Sequence, residues 1–190
     1  MIGIFGGSFN PIHMGHIRLA RQIRKAAALD EVWFMVSPLN PFKKAAADLL
    51  DDRLRLGMAR QALIGEEGLV ASDYEFHLPK PSYTWSTLQH LSETYPDRRF
   101  ALIIGADNWL AFDRWARPDF ILAHYPILVY PREGYAITQS LPRGVRLINT
   151  SRYPESSTEI RRRVRAGEDI TGLVPARIEA LVNRYYRPQS

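Results

Sequence analysis

The chain has 190 residues, of which 46% are apolar, and a formal net charge of +5 at pH 7. These values predict one domain spanning residues 1–190 and exclude a short peptide or a disordered tail. No apolar run approaches the roughly 18 to 20 residues of a bilayer span and no basic leader precedes the first one, so we expect a cytoplasmic protein. The absence of cysteine excludes disulfides, thiol nucleophiles and thiolate metal sites. The positive charge favours an anionic partner, namely a nucleic acid, a membrane surface or a small phosphorylated substrate.

Short and nearly continuous apolar runs predict six buried parallel strands, at residues 1–5, 31–37, 69–76, 100–104, 126–130 and 145–149. Helical patterns are found at residues 15–28, 51–64, 82–94, 109–115, 157–166 and 175–186. This alternation predicts an α/β fold, with a sheet covered by helices on both faces. Ligands of such sheets bind beyond the carboxyl ends of the strands, so the loops that follow the strands are the candidate site. Turn formers and charges at residues 38–44 and 130–142 predict the most mobile loops.

The segment GGSFNPIHMGH joins the first predicted strand to the first predicted helix. Its double glycine, which ends at Gly7, predicts a turn that lets the backbone approach a bound group. Ser8 and the neighbouring amides can donate to an anion, and a helix that begins near His13 directs its positive end at the same place. His13 and His16 share one helix face, with Gly15 leaving room for a phosphate. The same histidines could equally cap the helix or lie in the core, and no third ligand at metal-binding spacing predicts a resident metal.

A second segment, SSTEIR, occupies residues 156–161. Ser156 with Glu159 three residues later is a capping-box pattern, which by itself explains why a helix begins there. The pattern does not explain Ser157, Thr158 and Arg161, whose hydroxyls, amides and guanidinium suit the oxygens of a polyphosphate. The basic residues that continue the run are expected on a solvated helix face: Arg162, Arg163 and Arg165.

These two segments resemble the G-G-x-F-[DN]-P-x-H-x-G-H and S-S-T-x-I-R signatures of the nucleotidyltransferase superfamily. The resemblance implies a Rossmann-like, doubly wound and mostly parallel sheet that holds ATP between the signatures. It implies that His16 contacts the α-phosphate, that His13 contacts the outer phosphates, and that Arg161 neutralises the leaving pyrophosphate. Phe9 belongs to the first signature and is carried over with it as a nucleotide-binding residue. Glu155 departs from the pattern, because the family usually has an apolar residue there.

Three further segments resemble the bacterial nicotinate-nucleotide adenylyltransferases in particular. SPLNPFKK, at residues 37–44, resembles a proline-rich loop that ends in a lysine, which makes Lys44, or its neighbour Lys43, a candidate to neutralise phosphate. PSYTWSTL resembles the element that recognises a pyridine mononucleotide, and Tyr83 and Thr84 stand in it. IGADNW and the tryptophan downstream resemble elements that contact the ribose and stack on the pyridine, and the matching residues are Gly105, Asp107 and Trp115. Thr84 and Asp107 could instead be helix caps, and Trp115 could be a core residue.

The resemblance implies transfer of AMP from ATP to nicotinate mononucleotide, which gives deamido-NAD and pyrophosphate. Mg²⁺ is expected to arrive with ATP, because the two signatures contain no carboxylate cluster that would bind it. The expected partners are the two nucleotides and neither nucleic acid nor membrane, with the protein a monomer or a homo-oligomer. Adenylyl transfer to nicotinamide mononucleotide or to phosphopantetheine stays open. A basic nucleic-acid-binding module that uses the arginines near residue 161 is the alternative from a different class.

Overall fold

The computed structural model describes residues 1–38 and 49–188. The strands are β1 Ile2–Gly7, β2 Glu31–Val36, β3 Leu69–Ser72, β4 Phe100–Gly105, β5 Ile127–Tyr130 and β6 Val145–Leu147. The helices are α1 Met14–Ala26, α2 Asp52–Ala62, α3 Thr84–Thr94, α4 Ala106–Leu110, α5 Pro118–His124, α6 Ser157–Ala166 and α7 Ala176–Tyr186. Short 3-10 turns lie at Tyr74–His77 and Phe112–Arg114.

The six strands form one sheet in the order β3-β2-β1-β4-β5-β6, and every neighbouring pair is parallel. The chain builds outward from β1 in one direction and then, from β4, in the other. This reversal opens a crevice between β1 and β4 at the carboxyl edge of the sheet, where ligands of doubly wound folds bind. The predicted α/β class with a doubly wound sheet is confirmed.

Apolar side chains fill a separate core on each face of the sheet. In β1, Ile2 and Ile4 face one core and Phe5 faces the other, as the two-residue repeat of a strand requires. One core is covered by α1, α2, α6 and α7 and the other by α3, α4 and α5. The helices contribute apolar residues at helical spacing, for example Ile160 and Val164 of α6. None of the described helices combines the length and apolarity needed to cross a membrane.

All six predicted strands and five of the six predicted helices occur. The predicted helix at residues 109–115 does not form, because α4 ends at Leu110 and the 3-10 turn Phe112–Arg114 follows it. Two further differences matter for the site. The predicted strand at residues 69–76 ends at Ser72, because the chain then turns into the 3-10 segment Tyr74–His77 and buries Glu75 beneath α3. Helix α5, Pro118–His124, was not predicted, since seven residues are too few to display a helical repeat.

Candidate active site

The amino ends of α1 and α6 meet on the loop that precedes α1. The Ser157 hydroxyl donates to the main-chain carbonyl of Pro11 at 2.9 Å. The Arg161 guanidinium donates to the carbonyl of Asn10 at 2.7 Å. Because these bonds link residues 146 and 151 positions apart, the two sequence motifs form one site.

Glu155, the departure from the family pattern, forms a further link between these helices. Arg18 of α1 donates to its Oε1 at 2.5 Å, and only 6% of the Glu155 side chain is exposed. Its other oxygen is buried with no hydrogen-bond partner in the structure. The ion pair with Arg18 allows an acid to occupy a position that the family usually gives to an apolar residue.

His13 and His16 cap each other at the start of α1. The main-chain N–H of His13 donates to His16 Nδ1 at 3.2 Å, and that of His16 donates to His13 Nδ1 at 3.4 Å. The rings stack with their centroids 3.6 Å apart. Since a main-chain N–H only donates, each Nδ1 is an acceptor and a neutral ring carries its proton on Nε2. The histidines therefore cap the helix and also keep an N–H donor for a ligand oxygen.

Both imidazoles are neutral at physiological pH. Burial, with a smaller contribution from the positive charge of Arg132, lowers the pKa of His13 to about 3. The pKa of His16 also lies well below the ordinary value of 6.5, because of burial first and then the neighbouring His13 and Arg132. The site therefore offers neutral N–H donors beside a permanent cation.

Packing requires a glycine at Gly15, and the expectation that this glycine also leaves room for a phosphate stays a prediction. A Cβ there would lie 3.0 Å from His13 Nδ1 and 3.3 Å from Glu155 Oε2. Glycine is needed because the His13 ring folds back over the helix at this point. The double glycine does not form the predicted turn, because β1 continues through Gly7.

The second motif forms half of its predicted capping box. Ser156 Oγ accepts from the main-chain N–H of Glu159 at 3.2 Å. The Glu159 carboxylate, however, accepts from Arg162 and Arg163, and these hydrogen bonds lower its pKa to about 2. These ion pairs hold Arg162 and Arg163, two of the basic residues that follow Arg161, in a network at the protein surface. Arg161 differs, because its Nε is buried and has no partner in the structure.

A cavity of about 460 Å³ opens between these helix ends. Both motifs line it, through His13, Gly15, His16, Ser156 and Ser157. The remaining wall includes the apolar or cationic side chains of Leu19, Tyr130, Pro131, Arg132, Arg152, Tyr153 and Pro154. We call it the histidine cavity. Glu133 and Glu155 also line it, and the carboxylate of Glu155 is paired with Arg18. The imidazole, hydroxyl and guanidinium donors of this cavity suit a polyanion attached to a flat base.

A second cavity, of about 590 Å³, lies at the carboxyl edge of β1 and β4. We call it the tryptophan cavity, because Trp115 lines it. Four other predicted residues line it as well, namely Gly7, Ser8, Thr84 and Gly105. Tyr130 lines both cavities, so they share a wall. Two ligands bound in them would therefore be neighbours.

Other predicted site residues, Arg161 among them, line neither cavity. The Phe9 side chain is 3% exposed and packs against His16, with ring centroids 5.1 Å apart, so it supports the imidazole from the core. Tyr83 is 48% exposed and Thr158 is also exposed, and neither lines a cavity. The predictions for Lys43 and Lys44 fall outside the described residues.

Asp107 lines neither cavity, but it contacts Arg132, which lines the histidine cavity, and stands two residues after Gly105, which lines the tryptophan cavity. Its Oδ1 is 3.6 Å from Arg132 Nε and is buried without a hydrogen-bond partner in the structure. A Cβ on Gly105 would collide with this oxygen, which explains the glycine. A carboxylate that has one cation nearby and no bonded donor is suited to accept from a ligand hydroxyl.

Several residues of the site escaped the sequence analysis. Tyr130 is the last residue of β5 and Arg132 lies two residues beyond it, so the rule that ligands bind beyond strand ends was a usable signal for both. Arg55 of α2 is fully buried and donates to three carbonyls, those of Ser8, Ser37 and Leu50. A helical arginine is usually exposed, so no local signal predicted this role. Glu75 lines the tryptophan cavity and was assigned to a strand.

Comparison with known proteins agrees with this geometry. The cytidylyltransferase-like family model matches residues 4–163. A protein of Bacteroides fragilis named probable nicotinate-nucleotide adenylyltransferase is 50% identical over 169 residues, which are 88% of this chain and 84% of that relative. One of the same name from Bacteroides thetaiotaomicron is 45% identical over 97% of this chain and 92% of its own length.

A solved structure has the same fold at lower identity. It is Plasmodium falciparum nicotinic acid mononucleotide adenylyltransferase complexed with NaAD, with a TM-score of 0.76 and 21% identity over 97% of this chain and 93% of that one. The fold, the paired motifs and the close relatives lead to one conclusion. The chain belongs to the cytidylyltransferase-like family and, within it, to the nicotinate-nucleotide adenylyltransferases.

Proposed function

We propose that this protein transfers AMP from ATP to nicotinate mononucleotide, forming deamido-NAD and pyrophosphate. The observation that carries the proposal is the meeting of α1 and α6 at the histidine cavity, which shares Tyr130 with the tryptophan cavity. In this assignment ATP occupies the first cavity and the mononucleotide occupies the second. The names of the Bacteroides relatives support the same reaction.

The reaction needs no covalent intermediate on the protein. An oxygen of the mononucleotide 5′-phosphate attacks the α-phosphorus of ATP, and the bond between that phosphorus and the oxygen bridging to the β-phosphorus breaks. Pyrophosphate leaves with the bonding electron pair. The protein therefore contributes alignment of two polyanions and stabilisation of the charge on the transferred group.

Each motif residue has one role in this scheme. His16 donates from Nε2 to an α-phosphate oxygen, and His13 donates in the same way to the outer phosphates. Arg161 neutralises the departing pyrophosphate, with Lys44 as the proposed second cation. Trp115 stacks on the pyridine ring, and Asp107 accepts from a ribose hydroxyl of ATP.

Enzymes of this kind generally use a divalent metal, and we propose Mg²⁺ bound to the phosphates of ATP. Across residues 1–38 and 49–188, no three His, Asp or Glu side chains group as a metal site. In this proposal the ion enters with its nucleotide. A cytoplasmic location and the oligomeric state remain predictions.

One assay tests the proposal. The protein is incubated with ATP and Mg²⁺, and nicotinate mononucleotide, nicotinamide mononucleotide and phosphopantetheine are offered in turn while pyrophosphate is measured. We expect the fastest release with nicotinate mononucleotide. Similar turnover of all three acceptors would refute the substrate assignment. No turnover of any of them, together with salt-sensitive binding of RNA or DNA, would favour the nucleic-acid alternative.

A further inference from the structure

Tyr186, the last residue of α7, contacts the loop that precedes α1. It continues the buried face of α7 that Ile178 and Val182 form, and 6% of the residue is exposed. The Tyr186 hydroxyl donates to Asn10 Oδ1 at 2.7 Å, and this bond joins residues 176 positions apart. Helix α7 is therefore tied to the first motif through this hydroxyl group.

The direction of the hydrogen bond follows from a third group. The main-chain N–H of Leu50 donates to the same Asn10 Oδ1 at 3.2 Å. Since a main-chain N–H only donates, this atom of Asn10 is the amide oxygen and Tyr186 is the donor. Burial raises the pKa of the Tyr186 hydroxyl well above its ordinary value, although the positive charges of Arg161 and Arg55 oppose that rise. The hydroxyl therefore keeps its proton at neutral pH.

The main chain of Asn10 continues the link to α6. Its carbonyl accepts from Arg161 Nη1 at 2.7 Å. The guanidinium is held less firmly elsewhere in the described structure, because Nη2 lies 3.5 Å from Thr158 Oγ1 and the buried Nε has no hydrogen-bond partner there. The orientation of Arg161 therefore depends mainly on where the Asn10 carbonyl lies.

We propose that Tyr186 is a positioning residue, which holds the Asn10 side chain and thereby fixes the carbonyl that orients Arg161 toward the phosphates of ATP. This inference rests on the proposed function, in which Arg161 neutralises the departing pyrophosphate. The amide and the carbonyl of Asn10 belong to one buried residue, so an anchor on the amide restricts the rotation of both.

Arg161 needs such an anchor because of its place on α6. It lines neither cavity, but it stands one helical turn after Ser157, which lines the histidine cavity. Whether its guanidinium reaches a bound phosphate therefore depends on how the side chain is held. Tyr186 also lines neither cavity, so it acts through Asn10 and Arg161 without touching a substrate.

A double-mutant cycle of Tyr186→Phe and Arg161→Met, read by pyrophosphate release, tests the proposal. Tyr186→Phe should fold, as circular dichroism would verify, because the ring stays in the core and Asn10 Oδ1 keeps the donor of Leu50. We expect kcat/KM for ATP to fall about fivefold, and KM for nicotinate mononucleotide to stay within about twofold of the wild type. In the Arg161→Met background the same substitution should change kcat/KM for ATP by less than about twofold.

Tyr185→Phe is the matched control. Tyr185 is half-buried on the same helix, but consecutive helical residues point about 100° apart. Its ring lies near Arg184 instead, with 5.9 Å between the ring centroid and the guanidinium carbon. This variant should keep the wild-type kinetics.

Three results would overturn the proposal. The first is wild-type kcat/KM for ATP in Tyr186→Phe. The second is a loss as large in the Arg161→Met background as in the wild type, which would show that the hydroxyl acts elsewhere. The third is an equal rise in KM for nicotinate mononucleotide, which would indicate a general loss of structure. Wild-type kinetics in Arg161→Met would overturn both the inference and the role of that arginine. If the wild type releases no pyrophosphate, the proposed function itself has failed.

Discussion

Acidification should destabilise this protein through His13. The pKa of His13 is about 3 in the folded chain and about 6.5 in an unfolded chain. Below pH 6.5 His13 binds a proton in the unfolded state but not in the folded state, so the free energy of unfolding decreases as the pH falls. Integrated from pH 7.0 to pH 4.5, this difference amounts to about 2.5 kcal/mol for His13 alone.

Urea unfolding at the two pH values measures this quantity in the wild type and in His13→Asn. Asparagine is a good helix cap without a titrating group, so the variant should lose about 2.5 kcal/mol less than the wild type on acidification. His77→Gln is the control, because 74% of the His77 side chain is exposed. It should follow the wild-type curve. Parallel losses in the wild type and His13→Asn would refute the argument that burial keeps His13 neutral.

Two further substitutions test how the site is held together. Gly15→Ala should lower kcat/KM for ATP at least tenfold while circular dichroism stays unchanged, because the new methyl group displaces the His13 ring. Wild-type kinetics would contradict this role for the glycine. Arg55→Met should lower the free energy of unfolding by about 3 kcal/mol, since it leaves three carbonyls without their donor. A loss below about 1 kcal/mol in urea unfolding would show that water replaces the guanidinium.

Local sequence predicted the parts of the site that depend on neighbouring residues. The start of α6 was assigned correctly because Ser156 is a strong helix cap. The shared face of His13 and His16 followed from helical spacing alone. Their mutual capping was not foreseen, since it depends on the rotamers of both rings.

Long-range contacts account for what the sequence analysis missed. Glu75 lies in a short apolar segment that was predicted as a strand. The segment instead forms a 3-10 turn, in which Glu75 accepts a hydrogen bond from Thr87 of α3. Phe9 looked like a ligand residue because it belongs to the motif, yet it packs beneath His16. Arg132 lies near Asp107 because β5 pairs with β4 in the sheet, and the sequence alone does not predict which strands are neighbours.

The central claim is that α1 and α6 act together on one triphosphate. A double-mutant cycle with His16→Ala and Arg161→Met, read as kcat/KM for ATP, tests it most directly. Each single variant should lose more than about tenfold, and the double variant should fall short of the product of the two losses by about fivefold or more. The claim would be contradicted if the loss in the double variant equalled the product of the two single losses to within about twofold. It would also be contradicted if the His16→Ala enzyme kept more than about a tenth of wild-type kcat/KM.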